Sequence, residues 1–230
     1  MRRWTVVLFA FSFLAAGNAR AETFQVEHDH LWRSCKGKLV FGDTTVEYVA
    51  GEKEHSRIWK YEDIQQLAIA AGEISILTYD TRKIEFGADQ TFNFKLLSGT
   101  LSDKFRQEIE KKLTHPLVSS VVPEQIKVKF SIPARHRLFL DDSQGILEFG
   151  EDIIVYRSGK PKGSRVWRYE ELLSIGSTGP FQLRLGALQK TGGEYGEEKN
   201  YVFDLKRRLT SEEYDFVWEK IHIRDSKLKT

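Results

Sequence analysis

Short stretches of alternating apolar and polar residues dominate the chain, and alternation with period two predicts half-buried strands. Phe24–Trp32, Lys38–Phe41, Thr45–Val49, Arg57–Tyr61, Glu73–Tyr79, Lys83–Phe86 and Thr91–Leu97 all read this way. Gly42, Gly51, Gly72, Gly87 and Gly99 fall between them as turn residues. Along Arg57–Tyr61 the alternation sets Trp59 and Tyr61 on one side. The period then changes. Phe105, Ile109 and Leu113 recur at spacing four, one apolar stripe of a helix that Ser102 is placed to cap. A second series follows, opened by a strand over Gln125–Phe130. It contains a glycine-rich hairpin tip at Thr191–Asn200 and closes with a helix capped by Ser211, its stripe formed by Tyr214, Val217, Trp218 and Ile221. Thr114–Val122, with Pro116 inside it and Pro123 after it, reads as a linker.

The two series are copies. Gly37–Leu67 set over Gly145–Ile175, at an offset of 108 and without a gap, is identical at 11 of 31 positions. Among these are Gly37/Gly145, Leu39/Leu147, Phe41/Phe149, Tyr48/Tyr156, Arg57/Arg165, Trp59/Trp167 and Tyr61/Tyr169. The match resumes downstream at an offset of 109, where Phe94-Lys95-Leu96 meets Phe203-Asp204-Leu205. A repeat of about 100 residues is a complete domain rather than a solenoid unit. The expected organisation is repeat one over 22–115, a linker over 116–122, repeat two over 123–224 and a polar tail over 225–230. The repeated core is expected to hold Leu39, Phe41, Tyr48, Trp59 and Tyr61 in the first copy. In the second it is expected to hold Leu147, Phe149, Tyr156, Trp167, Tyr169 and Trp218.

Residues 1–21 have a different character. Arg2 and Arg3 precede a thirteen-residue apolar run, Thr5–Gly17, and Ala19-Arg20-Ala21 supplies a small-x-small site. This is the layout of a cleaved secretory signal, and the run is short for a membrane-spanning helix. It implies export to a bacterial periplasm or the extracellular space, with no transmembrane segment after cleavage. It also changes the charge. The whole chain carries 35 Lys+Arg against 33 Asp+Glu, but taking away Arg2, Arg3 and Arg20 leaves 32 basic residues against the same 33 acidic ones. Of these, 13 basic and 16 acidic residues precede Ser120, and 19 and 17 follow Ser119. The mature chain is not basic overall, so general nucleic-acid binding is not expected. Cys35 is the only cysteine, so no intramolecular disulfide forms, and it reads as a small apolar strand residue.

Six or seven strands followed by one helix, in about 100 residues, resemble the pleckstrin-homology (PH) superfold, with the GRAM and bacterial PH-like branches nearest in pattern. The motifs that carry the resemblance are Gly37-Lys38-Leu39, Val46–Tyr48, the loop Gly51–Ser56 and Tyr61-Glu62-Asp63-Ile64. The second copy repeats them as Gly145-Ile146-Leu147, Ile154–Tyr156, Gly159–Ser164 and Tyr169-Glu170-Glu171-Leu172. The resemblance implies an α+β, mainly β fold of two tandem PH-like domains. Each would be a partly open antiparallel barrel or sandwich of six to seven strands closed by a C-terminal helix. It also implies a tryptophan on the closing helix, a place that Trp218 fits and that Ile109 takes in the first copy.

The resemblance directs attention to the basic loop between early strands, where lipid-binding PH domains grip phosphorylated head groups. Arg157, Lys160, Lys162, Arg165 and Arg168 cluster there in repeat two, while repeat one carries mixed charge over Gly51–His55. Such a cluster could hold an anionic lipid or glycan through charge-assisted hydrogen bonds; it reads more readily as a solvated hairpin tip. Glu27-His28-Asp29-His30 with His55 has the residue types for a metal site but reads as a polar strand face, so neither a metal nor another cofactor is expected. Arg57/Arg165 with Glu62/Glu170 reads as a repeated ion pair. No P-loop, Gly-x-Ser-x-Gly or Gly-x-Gly-x-x-Gly occurs. The expected function is therefore that of a non-enzymatic binding module for an envelope or extracellular protein. Anionic ligand binding is the alternative and an enzyme of unrecognised class the second alternative. A concave pocket lined with titratable residues would favour the last.

Overall fold

The computed structural model describes residues 21–29, 34–81, 89–138, 142–160, 162–190 and 198–227. Residues 1–20, which hold most of the expected signal, His30, Lys83–Phe86, most of Thr191–Asn200 and the last residues of the tail lie outside them. The chain is mainly β. In its first half, β1 (Glu22–Asp29), β2 (Ser34–Phe41), β3 (Thr45–Ala50), β4 (Arg57–Lys60), β5 (Ile64–Ala70), β6 (Glu73–Thr81) and β7 (Asp89–Leu96) precede α1 (Asp103–Glu110). A short strand follows, β8 (Leu117–Ser119). The second half holds β9 (Phe130–Arg137), β10 (Ser143–Phe149), β11 (Ile153–Ser158), β12 (Arg165–Arg168), β13 (Leu172–Gly176), β14 (Gln182–Leu188) and β15 (Glu198–Leu205), then α2 (Ser211–Lys227).

Both halves hydrogen-bond their strands in the same order. The first runs β5-β6-β7-β1-β2-β3-β4 and the second β13-β14-β15-β9-β10-β11-β12. Between them lies β8, parallel to β5 (Leu67 opposite Leu117) and antiparallel to β12 (Val166 opposite Ser119). The result is a single sheet of fifteen strands whose outermost members are β4 and β13. The segment expected to be a linker is therefore partly a strand. Leu117 and Ser119 are buried in it, because they fill the seam between the two halves.

Each half has its own apolar core. Strand alternation puts Leu39, Phe41, Tyr48 and Trp59 inside the first, Tyr61 joins them from the 3-10 turn that follows β4, and Phe105 and Ile109 of α1 pack on them. Leu147, Phe149, Tyr156, Trp167 and Tyr169 lie inside the second, under Val217 and Ile221 of α2. The α1 start is as expected, with Ser102 Oγ accepting from the Phe105 N–H at 3.1 Å.

The structure departs from the sequence reading at five further places. Trp218 is not core: it is 47% exposed and stacks on His222 of its own helix at 4.2 Å. The core takes the face bearing Tyr214, Phe216, Val217 and Ile221, and Trp218 stands just past its edge, about 40° round the helix from Tyr214. The α2 cap is Thr210 rather than Ser211: Thr210 Oγ1 accepts from Glu213 N–H, and the Glu213 carboxylate accepts from Thr210 N–H. The strand opening the second half begins at Phe130 rather than Gln125. It is Phe130, Ile132, Ala134 and His136 that point inward, whereas Val128 is exposed. Strand β5 escapes the period-two pattern because a register shift between Ile64 and Gln66 buries two consecutive residues, Ile64 and Gln65. Finally, Arg57 and Arg165 are not paired with Glu62 and Glu170. Both guanidinium groups donate to loop carbonyls, while the two glutamates pair with Lys60 and Arg168.

Candidate functional site

The repeated residues build one polar-aromatic framework twice. Tyr48 lies against Gly37 and donates its hydroxyl hydrogen to the Cys35 carbonyl at 3.0 Å; Tyr156 lies against Gly145 and donates to the Ser143 carbonyl at 2.6 Å. Tyr61 and Tyr169 reach the carbonyls of Gly42 and Gly150 at 2.9 and 3.1 Å. Burial pushes the Tyr61 hydroxyl up to about 12, with Asp43 adding to the shift, so it remains a donor at any physiological pH.

A buried histidine in each half went unrecognised in the sequence. His28 is surrounded by Tyr48, Phe92 and Phe94, with ring centroids 4.9–5.9 Å away; His136 is surrounded by Tyr156, Tyr201 and Phe203 at 4.9–5.8 Å. The signal was available, since extending the offset of 108 upstream of Gly37 pairs His28 with His136. Burial, then the charges of Arg165 and Lys199, hold His136 down at about 4, so it is a neutral ring near neutral pH. His28 Nδ1 lies 2.8 Å from the Asn93 carbonyl oxygen. That contact and its aromatic surroundings make it a core residue rather than part of an exposed acidic-histidine face. Among the described residues no group of three His, Cys, Asp or Glu is placed to hold a metal ion. Cys35 is half-buried, with Sγ 3.1 Å from His55 Nδ1.

The five basic residues of repeat two lie along the β11–β12 hairpin, and each contacts another part of the chain. Arg157 pairs with Glu148 at 2.9 Å and donates to the Pro123 carbonyl. Lys160 donates to the Asp142 carbonyl, and Lys162 crosses to Glu73 in the first half at 2.6 Å. Arg165 donates to the carbonyls of Lys162 and Ser164 and to the Ser120 hydroxyl, and Arg168 pairs with Glu170. Two of these contacts stitch the seam between the halves, Lys162 with Glu73 and Arg165 with Ser120; those of Arg157, Lys160 and Arg168 stay within residues 123–170. Lys190 adds to the stitching through Asp89, Gln65 and Gln66.

Beside this seam is a cleft of about 340 Å³, lined on one side by Glu110, Leu113, His115 and Leu117 and on the other by Arg168 and Glu171. Glu171 accepts from the Arg168 N–H at 3.1 Å. Desolvation nevertheless dominates and, with Glu110 adding to it, pushes the carboxyl up to about 7. Glu110 is itself held by Arg106, whose guanidinium also engages Asp103. On the rim, the Tyr79 hydroxyl lies 3.1 Å from His115 Nε2. The cleft thus brings the carboxyl groups of Glu110, Glu170 and Glu171 and the guanidinium of Arg168 together beside the seam.

The sheet of described strands ends at β4 and β13. Ile58 on β4 is 68% exposed and Leu173 on β13 is 48% exposed. No described helix is long and apolar enough to cross a membrane.

No family model matches the chain, and no curated protein matches its sequence. Among solved structures, the chain is similar to one described as "Structure of the Spt16D Pob3N heterodimer". The match is at 14% identity with a TM-score of 0.28, over 74% of this chain and 84% of that one. A superposition at that score carries no weight for fold or function.

Proposed function

We propose that the chain is an exported, non-enzymatic interaction module of two tandem PH-like domains, each closed by its helix, and that it binds an envelope or extracellular protein. The observation that carries this reading is the termination of a sheet of fifteen described strands in two edges, β4 and β13, each with an exposed apolar side chain and no described strand along its outer side. A sheet edge offers main-chain donors and acceptors to an incoming partner. The repeated order of strands, and the equivalent tyrosine–glycine and histidine–aromatic clusters in both halves, support the tandem-domain part. Lys162 and Arg165 are engaged at the seam and Arg157, Lys160 and Arg168 within the second half, which favours a structural role over grip on an anionic head group. The three carboxyl groups of the cleft are engaged by Arg106 and Arg168, which favours reading them as part of the seam rather than as the titratable pocket of an enzyme.

The reading is tested in the cell envelope. The full-length chain, leader included, is expressed in a bacterium and the envelope fraction is treated with a short-range crosslinker. A recurrent crosslinked protein in that fraction, with no sedimentation of the purified chain on anionic liposomes, is the expected result. Retention in the cytoplasm, or sedimentation that requires anionic lipid, overturns it.

A further inference from the structure

The two halves differ at one edge. Strand β12 of the second half has β8 laid antiparallel along it, and Val166, opposite Ser119, is only 5% exposed. The equivalent strand of the first half is β4. Its residue at the Val166 position is Ile58, and no described strand lies along its outer side.

The surroundings of the two edges match beyond the strand itself. Arg165 is anchored on the carbonyls of Lys162 and Ser164, at 3.2 and 2.9 Å. Arg57 is anchored on the equivalent carbonyls, Glu54 and Ser56, at 2.9 and 2.8 Å. In the second half the anchored guanidinium also donates to the hydroxyl of Ser120, the residue after β8, and that hydroxyl donates in turn to the Lys162 carbonyl. In the first half both the guanidinium and the Glu54 carbonyl are in the same place, but no described hydroxyl lies against them.

Resting on the reading of the chain as an interaction module, we propose that the β4 edge docks an extended strand of a partner protein. The occupant is antiparallel to β4 and has the pattern apolar–x–hydroxyl–hydroxyl, as Leu117-Val118-Ser119-Ser120 has on β12. Its first hydroxyl residue sits opposite Ile58 and covers it. The second bridges Arg57 and the Glu54 carbonyl. Main-chain bonds to β4 supply affinity, and the covered isoleucine and bridged arginine supply register. A second copy of β4 does not fit this role, because Arg57 and Lys60 of each copy would be brought against those of the other.

The peptide Thr114–Val122 (THPLVSSVV) is the probe, titrated into the ¹⁵N-labelled chain after removal of its leader and followed by amide shifts. The expected result is saturable shifts centred on Arg57–Lys60 at or below about 1 mM peptide. Arg57→Ala is expected to weaken binding several-fold, and Ile58→Asp to abolish it at the same concentrations. Unchanged thermal unfolding of Ile58→Asp shows that the fold is intact, as the exposure of Ile58 implies. In the titration and in the oligomeric state, three results overturn the proposal: no shift at Arg57–Lys60, equal shifts with Ile58→Asp, or a dimer of the chain that Ile58→Asp disperses. An envelope crosslink that survives Ile58→Asp removes the β4 site but leaves the interaction module standing; loss of every envelope crosslink from the unmutated chain removes the module itself.

Discussion

The ring of Tyr156 lies over the backbone of Gly145 so closely that a methyl group on Gly145 would stand 2.8 Å from two ring carbons and 2.2 Å from the Arg157 carbonyl oxygen. Tyr48 and Gly37 repeat the relationship, with 2.7 Å to the ring and 2.5 Å to the Val49 carbonyl. Glycine is needed at both positions for close approach rather than for turning, since both lie within strands. Gly145→Ala and Gly37→Ala are each expected to cost about 1–3 kcal/mol through overpacking. Urea denaturation of the two variants measures this, and a midpoint unchanged from the parent would contradict it.

Removing only the hydroxyl from the same tyrosines separates hydrogen bonding from packing. Tyr156→Phe leaves the buried Ser143 carbonyl without its 2.6 Å donor, and Ser143 is almost fully buried. A loss of about 1–3 kcal/mol is expected. Tyr48→Phe breaks a longer bond, to a carbonyl on half-buried Cys35 that water can reach, and is expected to cost less. Thermal unfolding of both variants gives the order; the reverse order would show that these bonds do not differ in the way their burial implies.

Two tryptophans of the second half contrast in the same way. Trp167 is 4% exposed and packs edge-on against Tyr201 at 4.9 Å. Trp167→Ala is expected to cost about 3–5 kcal/mol. Trp218→Ala removes a surface stack on His222 and is expected to change stability by less than about 1 kcal/mol. Equal losses would place Trp218 in the core after all.

The cleft carboxyl makes stability depend on pH. The Glu171 pKa is raised in the folded chain to about 7, against an ordinary value of 4.5, so folding favours its protonated form. Its contribution is present in full below pH 4.5 and is lost as pH rises through 7. The span corresponds to about 3 kcal/mol. Glu171→Gln keeps an acceptor for the Arg168 N–H and has no charge to bury. It is expected to melt several degrees above the parent at pH 8 and close to it at pH 4.5. A gap independent of pH would mean that Glu171 is solvated in solution.

His136 acts with the opposite dependence. Its pKa is lowered to about 4 by burial first and by Arg165 and Lys199 next, while Asp142 opposes the shift weakly. The folded chain therefore resists protonating it, and stability is lost as pH falls from 6.5 towards 4, again by about 3 kcal/mol. His136→Phe keeps an aromatic ring among Tyr156, Tyr201 and Phe203 and is expected to flatten this part of the stability profile. A slope unaltered by the substitution would assign the acid loss to other groups.

The chain's duplication, the inward faces of most strands and the α1 cap were legible in the sequence, because each is written in local spacing or in identity between the copies. The identities have local structural causes: Gly37 and Gly145 lie under a tyrosine ring, and Tyr61 and Tyr169 reach a carbonyl within the same repeat. The buried histidines were legible too, but only by carrying the offset past the stretch of strongest identity. The exposure of Trp218 was not. A helix stripe four residues wide does not state which of its sides the sheet will reach, and that side is set by the angle at which α2 crosses β13.

The seam between the halves depends still more on the tertiary structure. Three residues, Leu117–Ser119, carry too little alternation to announce a strand, and their pairing energy comes from two edges more than 45 residues away on either side in the chain. Local spacing determined what each half is made of. Only the assembled sheet decided that β8 covers Val166 and not Ile58, because one connecting strand can lie beside β12 and β5 but cannot also reach β4 at the far end.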